Sequence, residues 1–303
     1  MRVRLPKASK TGARIWRVDS SGMEERRDEL ATEEPLEIRL LWRGERRTVA
    51  VTMRTPGHDA ELAVGFLFAE GIVERREHVL SVDHCTEPDA AGACSNIVHV
   101  ELGEDAPEPR LGTLDRHFFA TSACGVCGKA GLDRLQVRMT GPLPEGPRVS
   151  PEVLRSLPAR LRESQGLFEA TGGLHAAALF DPAGDLLAVR EDVGRHNALD
   201  KLLGWAFREG RLPLHGHLVL VSGRSSYEIL QKCLVAGVPL VCAVSAPSSL
   251  AVELAERFGV TLIGFLRGDR FNVYSGAERI AGSPLEEEKS SRRSSERTLL
   301  PTV

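Results

Sequence analysis

Leu218-Val219-Leu220-Val221, Leu240-Val241-Cys242-Ala243-Val244 and Thr261-Leu262-Ile263-Gly264-Phe265 are three short apolar runs, separated by Ser225 to Ala236 and Ser248 to Phe258, which read as helices. Strands alternating with helices predict a parallel sheet joined by right-handed crossovers. In such sheets ligands gather at the carboxyl ends of the strands, where loops enter helix N-termini whose free N–H groups and dipoles attract anions. Three segments follow these strands: Ser222-Gly223-Arg224-Ser225-Ser226, Ser245-Ala246-Pro247-Ser248-Ser249 and Arg267-Gly268-Asp269-Arg270. A serine at a helix start is first of all an N-cap. Combined with the guanidinium forks of Arg224, Arg267 and Arg270, these serines make an edge suited to a nucleotide or phosphorylated cofactor, with Asp269 as partner for a base or ribose.

Upstream, Leu174 to Phe180 and Asp185 to Arg190 flank the turn Asp181-Pro182-Ala183-Gly184 as a hairpin. Glu191-Asp192-Val193-Gly194-Arg195-His196-Asn197 then leads into a helix through Lys201 and Trp205, and an earlier helix follows Ser150 with Pro151 in its first turn. Nearer the N-terminus, Leu36 to Leu40 alternates as a half-buried strand, Thr48 to Met53 is its hairpin partner, Asp59 to Glu70 is a helix stopped by Gly71, and Asn96 to Leu102 is a further strand. The predicted organisation is a flexible charged leader over 1–35, in which Glu24 to Glu29 is a solvated run, a small α+β domain over 36–115, a larger domain over 116–283, and a disordered tail over 284–303.

Length and charge narrow the function classes. A chain of 303 residues is long for one core, so two are expected. A net charge of -3 argues against bulk nucleic-acid binding. Six cysteines in a chain this long are not a disulfide scaffold, and no apolar run approaches the roughly 18 residues of a membrane span. Polar residues follow the basic Met1 to Lys10, so no secretory pattern is present and the expected setting is the cytoplasm, with reduced thiols.

The chemistry is placed in Thr121-Ser122-Ala123-Cys124-Gly125-Val126-Cys127-Gly128-Lys129. Gly125 and Gly128 allow turn conformations that present both sulfurs, and Lys129 favours the reactive thiolate. A Cys-x-x-Cys pair fits a zinc site, a dithiol oxidoreductase or a persulfide carrier. Zinc needs a second half, yet Cys85 and Cys94 with His84 and His99 match none of the compact ligand spacings. A thioredoxin-like unit wants a strand just upstream, and Asp115 to Ala120 is a poor one. Cys233 and Cys242 fall at apolar positions, where cysteine acts as a small hydrophobe. His175 reads as structural within a buried strand, whereas Arg195 and His196 lie on a loop entering a helix, and Arg54 and His58 precede a helix within reach of a cofactor.

Arg54-Thr55-Pro56-Gly57-His58-Asp59, Thr121 to Lys129, Thr171-Gly172-Gly173-Leu174-His175, Glu191 to Asn197, Ser222-Gly223-Arg224 and Phe265-Leu266-Arg267, in this order, resemble the formate dehydrogenase accessory sulfurtransferase family, FdhD. The match spans about Leu36 to Ile280. The resemblance implies a sulfur carrier, loaded with persulfide by a cysteine desulfurase, that passes sulfur to the molybdenum bis-pterin guanine dinucleotide cofactor of formate dehydrogenase. It implies Cys124 as the persulfide-bearing residue, with Cys127 assisting or resolving it. It also implies a cytidine-deaminase-like, three-layer second domain with a mostly parallel sheet, α/β within an α+β whole. Zinc deaminase chemistry itself fails on the residues: His175-Ala176-Ala177 has alanine where a proton-shuttling glutamate belongs, and Ala123 replaces the proline before Cys124. No catalytic zinc is expected.

The cofactor cradle expected from these readings comprises Ser222, Gly223, Arg224, Ser245, Phe265, Leu266, Arg267, Gly268, Asp269 and Arg270, joined by Arg195 and His196. Two guanine ends on one cofactor suit a two-fold homodimer. The competing class is a guanine-nucleotide-binding regulator whose cysteines only sense redox state.

Overall fold

The computed structural model describes residues 8–85, 96–109 and 141–283. The Cys124–Cys127 pair, Cys94 and the residues after Ser283 lie outside the described residues. Contacts divide the chain into two units that do not follow the contiguous boundaries expected from sequence. One comprises Met1–Gly131, Ser164–Ala177 and Val189–Leu212, and the other Leu132–Glu163, Ala178–Ala188 and Pro213–Val303.

In the first unit, β1 (Lys10–Asp19) and β2 (Gly22–Ala31) pair antiparallel over their whole length. This ordered ribbon replaces the flexible leader expected there. Its run of charges conceals the pairing, because the two strands are matched by cross-strand contacts such as Lys10–Glu29 (2.6 Å) rather than by an apolar period. β3 (Glu34–Trp42) and β4 (Glu45–Arg54) form the expected hairpin, and Leu36, Ile38 and Leu40 supply its buried face. β6 (Ile97–Leu102) joins β3 in parallel, and β5 (Val79–His84), which the sequence reading missed, completes the order β4-β3-β6-β5.

Helix α1 (Asp59–Glu70) lies against β5 and β6 and ends at Gly71, whose φ of 75° is readily adopted by glycine. The short helix α3 (Gly166–Thr171) and helix α4 (Arg195–Arg208) also belong to this unit. α1 and α4 pack backbone to backbone. A Cβ added at Gly65 would stand 1.9 Å from the Asp200 carbonyl oxygen, and one at Gly204 would stand 1.9 Å from that of Glu61. Two facing glycines therefore set the helix spacing.

The second unit holds α2 (Pro151–Glu163) and a six-stranded sheet in the order β12-β11-β10-β9-β7-β8. Its strands are β7 (His175–Phe180), β8 (Leu186–Asp192), β9 (Leu218–Val221), β10 (Leu240–Ala243), β11 (Thr261–Arg267) and β12 (Arg270–Ser275). Residues 175–177 and 189–192 of β7 and β8 group with the first unit. β9, β10 and β11 run parallel as predicted, and β9 and β10 are buried throughout, which is why they read as unbroken apolar runs. α5 (Tyr227–Val235) and α6 (Ser249–Phe258) connect them. β12 was not foreseen. It returns antiparallel to β11, so Arg267 and Arg270 face each other across a hairpin and do not lead into a helix.

Candidate functional site

Two motifs of the first unit meet although they lie far apart in sequence. The Asp192 carboxylate, fully buried, accepts hydrogen bonds from Thr55 N (3.1 Å), Gly194 N (2.8 Å) and Asn197 Nδ2 (3.1 Å), and stands 2.7 Å from Lys201 Nζ. Lys201 Nζ also donates to the carbonyls of Thr55 (2.9 Å) and Glu191 (3.2 Å). A buried charge pair is tolerated only when its remaining polar positions are satisfied, and here backbone groups of both motifs satisfy them. Asn197 Nδ2 donates to Met53 O at 2.7 Å, tying α4 to the end of β4. Glu191 accepts from Leu167 N and Phe168 N, holding the start of α3.

A second layer of paired charges flanks this node. Arg54 clasps Asp59 through two 2.9 Å hydrogen bonds, with both side chains buried, and Arg54 Nη1 has no hydrogen-bond partner among the described residues. Arg190 grips Glu61 with Nε (2.5 Å) and Nη2 (2.8 Å). Burial pushes the Glu61 carboxyl up, but the hydrogen bonds from Arg190 and then His58, with their charges, outweigh it and hold the group at about 2. His58 reaches Glu61 at 3.1 Å and takes a left-handed φ of 58°, while His84 stands 3.5 Å from Asp59. Both imidazoles remain partly exposed.

Next to the Asp192 node, Arg195 and His196 occupy the first turn of α4, and Gly194 is its N-cap without a side-chain bond. His175, at the start of β7, is half-buried, and its pKa is lowered first by desolvation and then by the charges of Arg195 and His196, against an opposing pull from Asp192. His175, Arg195 and His196 thus form one cluster, a grouping the sequence reading did not anticipate for His175. Helix-start N–H groups, a guanidinium and imidazoles together suit an anion. Asp192, Thr55, Asn197, Lys201, Glu61 and Arg190 were missed as site residues. The signal available was that Thr55, Asp192 and Asn197 lie within the two motifs and that Glu61, Arg190 and Lys201 lie within a few residues of them.

In the second unit, the segments after β9, β10 and β11 do come together. Val244 N donates to Val221 O (3.1 Å), Ser248 N to Ser225 O (2.9 Å), and Phe265 N to Ser245 O (3.1 Å). Gly264 makes the last contact feasible, because a Cβ there would stand 2.9 Å from Pro247 Cδ and from the Tyr274 ring. Phe265 carries a positive φ of 52° at a bulge, strain that a non-glycine residue adopts only when its surroundings impose it. Arg224, Arg267, Asp269 and Arg270 are exposed along this edge, and the Arg267 guanidinium lies 5.8 Å from the Phe265 ring centroid. Leu266 is fully buried, so its part is to anchor β11 rather than to offer a side chain to a ligand.

The two serine loops differ. Ser248 caps α6, accepting from Ala251 N at 3.3 Å, whereas the N-cap of α5 is Ser226 and not Ser225, one residue later than the sequence suggests. Ser225 Oγ is fully buried and has no partner among the described residues. Cys233 and Cys242 lie in the core as expected, with burial pushing the Cys233 thiol up to about 12 and the Cys242 thiol higher still, so neither supplies a thiolate.

Residues 31–281 match the model of the FdhD/NarQ family, a span that includes every motif quoted above. A sulfur carrier protein FdhD from Nocardia farcinica is 49% identical over 269 residues, covering 88% of this chain and 93% of that protein. The Mycobacterium tuberculosis protein of the same name is 52% identical over 260 residues, covering 84% and 92%. A crystal structure from Desulfotalea psychrophila, described as a formate dehydrogenase accessory protein, superposes with a TM-score of 0.70 at 25% identity, covering 90% of this chain and 99% of that one. With the family model spanning most of the chain and relatives near half identity, the chain belongs to the FdhD/NarQ family of sulfur carrier and formate dehydrogenase accessory proteins.

Proposed function

We propose that this protein is a sulfurtransferase of the cytoplasm that accepts persulfide sulfur from a cysteine desulfurase and delivers it to the molybdenum bis-pterin guanine dinucleotide cofactor of formate dehydrogenase. The observation that carries the reading is the close similarity to sulfur carrier proteins over a span that includes Cys124-Gly125-Val126-Cys127. The Cys124 thiolate attacks the terminal sulfur of the desulfurase persulfide; that S–S bond breaks, the desulfurase thiolate leaves, and Cys124-S-SH forms. Cys127, in the resolving role, attacks Cys124 Sγ, giving a Cys124–Cys127 disulfide and expelling hydrosulfide, the oxidation level a metal ligand requires; cellular thiols then restore the dithiol.

The cofactor is cargo, and the edge formed by Ser222, Gly223, Arg224, Ser245, Phe265 and the Arg267–Arg270 hairpin is proposed to hold its guanine dinucleotide end, through guanidinium–phosphate contacts and aromatic stacking. Leu266 contributes backbone only. Arg195 and His196 supply anion contacts at the α4 start. A two-fold dimer and the cytidine-deaminase-like relationship of the second unit's sheet belong to the same proposal. Mass spectrometry after incubation with desulfurase and cysteine tests it: a gain of one sulfur on the peptide containing Cys124 is expected, and absence of any such adduct would leave a nucleotide-binding regulator as the better reading.

A further inference from the structure

The first two loops on the sheet edge of the second unit are built on one plan. β9 and β10 pair in parallel from Leu218 opposite Leu240 to Val221 opposite Ala243, and the same register continues into the loops, where Ser225 bridges Pro247. The backbone ties follow it, with Val244 N donating to Val221 O and Ser248 N to Ser225 O. Each loop then opens a helix, with Ser226 as the N-cap of α5 and Ser248 as the N-cap of α6. Matched positions therefore share one structural task, and a chemical difference between them serves something else.

The difference lies in the hydroxyls. In the second loop Pro247 has neither a hydroxyl nor an N–H, and Ser248 satisfies its own helix by accepting from Ala251 N at 3.3 Å. In the first loop the matched residue is Ser225, fully buried, whose Oγ has no partner among the described residues, and Ser226 accepts no capping bond from α5. An unpaired buried hydroxyl costs stability, and Pro247 shows that the loop geometry does not require one. This hydroxyl stands immediately before the N-cap of a nine-residue helix, where free N–H groups and the helix dipole attract anions. Arg224, the residue before it, is exposed and has no ion pair among the described residues, so a guanidinium is available on the same loop. Glu228, the acidic residue of the first turn of α5, is itself engaged with a partner.

We propose that Ser225 Oγ donates a hydrogen bond to a phosphate oxygen of the guanine nucleotide, beside the α5 start and Arg224. The inference rests on the preceding reading that this edge holds the guanine dinucleotide end of the cofactor, and it assigns one phosphate to the start of α5. The hydroxyl is covered, so contact requires the 222–226 loop to part; Gly223 has no side chain to oppose this and Arg224 no ion pair among the described residues. Ser225 thus gives up stability in exchange for binding.

The test is calorimetric titration of guanosine diphosphate into the full chain, wild type and Ser225→Ala, with melting curves alongside. The variant should bind at least about tenfold more weakly, the loss expected for a hydrogen bond to a charged group, and should melt at or above the wild-type temperature because no bond within the fold is removed. At saturation the phosphorus resonances of the bound nucleotide should differ between the two proteins, while the guanine H8 resonance stays in place. Wild-type affinity in Ser225→Ala overturns the role of Ser225 and leaves the cradle reading standing. A variant that melts several degrees early shows the hydroxyl to be bonded within the fold, and this too overturns the inference. Unmoved phosphorus resonances overturn the phosphate assignment. No binding by wild type overturns the cradle reading and this inference with it.

Discussion

Around Asp192 the protein concentrates charge that only mutual pairing makes tolerable. Lys201→Met leaves the Asp192 carboxylate buried with neutral donors alone, and breaking a buried pair costs about 3–5 kcal/mol. Urea unfolding at neutral pH should show a loss of that order, with part of it recovered in Asp192→Asn/Lys201→Met; a loss under about 1 kcal/mol would mean the neutral donors suffice. Glu61 gives the pH dependence. Its folded value, about 2, lies below the ordinary 4.5, so its stabilising contribution is complete above the higher value and fades as pH falls toward the lower. The stability gap between wild type and Glu61→Gln should therefore narrow as pH is lowered through that window, and a constant gap would show that Arg190 and His58 do not act on the carboxylate. At His175 the shift is also downward, so the deprotonated form is again favoured: desolvation, then the charges of Arg195 and His196, disfavour the imidazolium. Arg195→Ala should raise the His175 pKa part of the way back, as read from its ring-proton titration, because desolvation persists.

Elements in this fold are placed by contacts that composition does not announce. The α1–α4 crossing depends on Gly65 and Gly204, where any Cβ would collide with backbone of the opposite helix. Gly65→Ala or Gly204→Ala therefore cannot be absorbed by a side-chain rotation, and each should destabilise by about 3 kcal/mol, the upper end for overpacking, or force the helices apart. Thermal melting checks this, and a variant melting with wild type would place the crossing elsewhere. The strands β9, β10 and β11 were legible because burial on both faces leaves continuous apolar runs. β12 and β5 were not: each is a partly exposed edge strand whose polar residues, Asn272 in one and Asp83 in the other, mask the alternation. The ribbon was hidden for a related reason, since residues such as Lys10 and Glu29 find their partners across the hairpin.

For the whole molecule, the meeting of the segments after β9, β10 and β11 was legible in the sequence, whereas the pairing of the two motifs of the first unit was not. Serine and arginine at the ends of apolar runs pointed to the β9–β11 edge because a parallel sheet has only one ligand-binding end. The Asp192 node was illegible by comparison, since Thr55 reaches it across 137 residues and its members look individually like ordinary surface polar groups. The proposed division of labour makes a prediction that neither half yields alone. Arg267→Ala and Arg270→Ala change exposed side chains on a hairpin, so melting curves should match wild type while guanosine diphosphate binds roughly tenfold more weakly, the loss expected for one charge-assisted hydrogen bond. Those variants should still acquire persulfide from the desulfurase yet fail to activate formate dehydrogenase. Cys124→Ala should do the reverse, binding the nucleotide as wild type does while accepting no sulfur, with Cys127→Ala impaired less in loading than Cys124→Ala. Calorimetric titration alongside mass spectrometry reads both arms in one set of proteins. Unchanged nucleotide affinity in both arginine variants would move the cradle away from the hairpin, and equal loading of wild type and Cys124→Ala would remove Cys124 from the transfer.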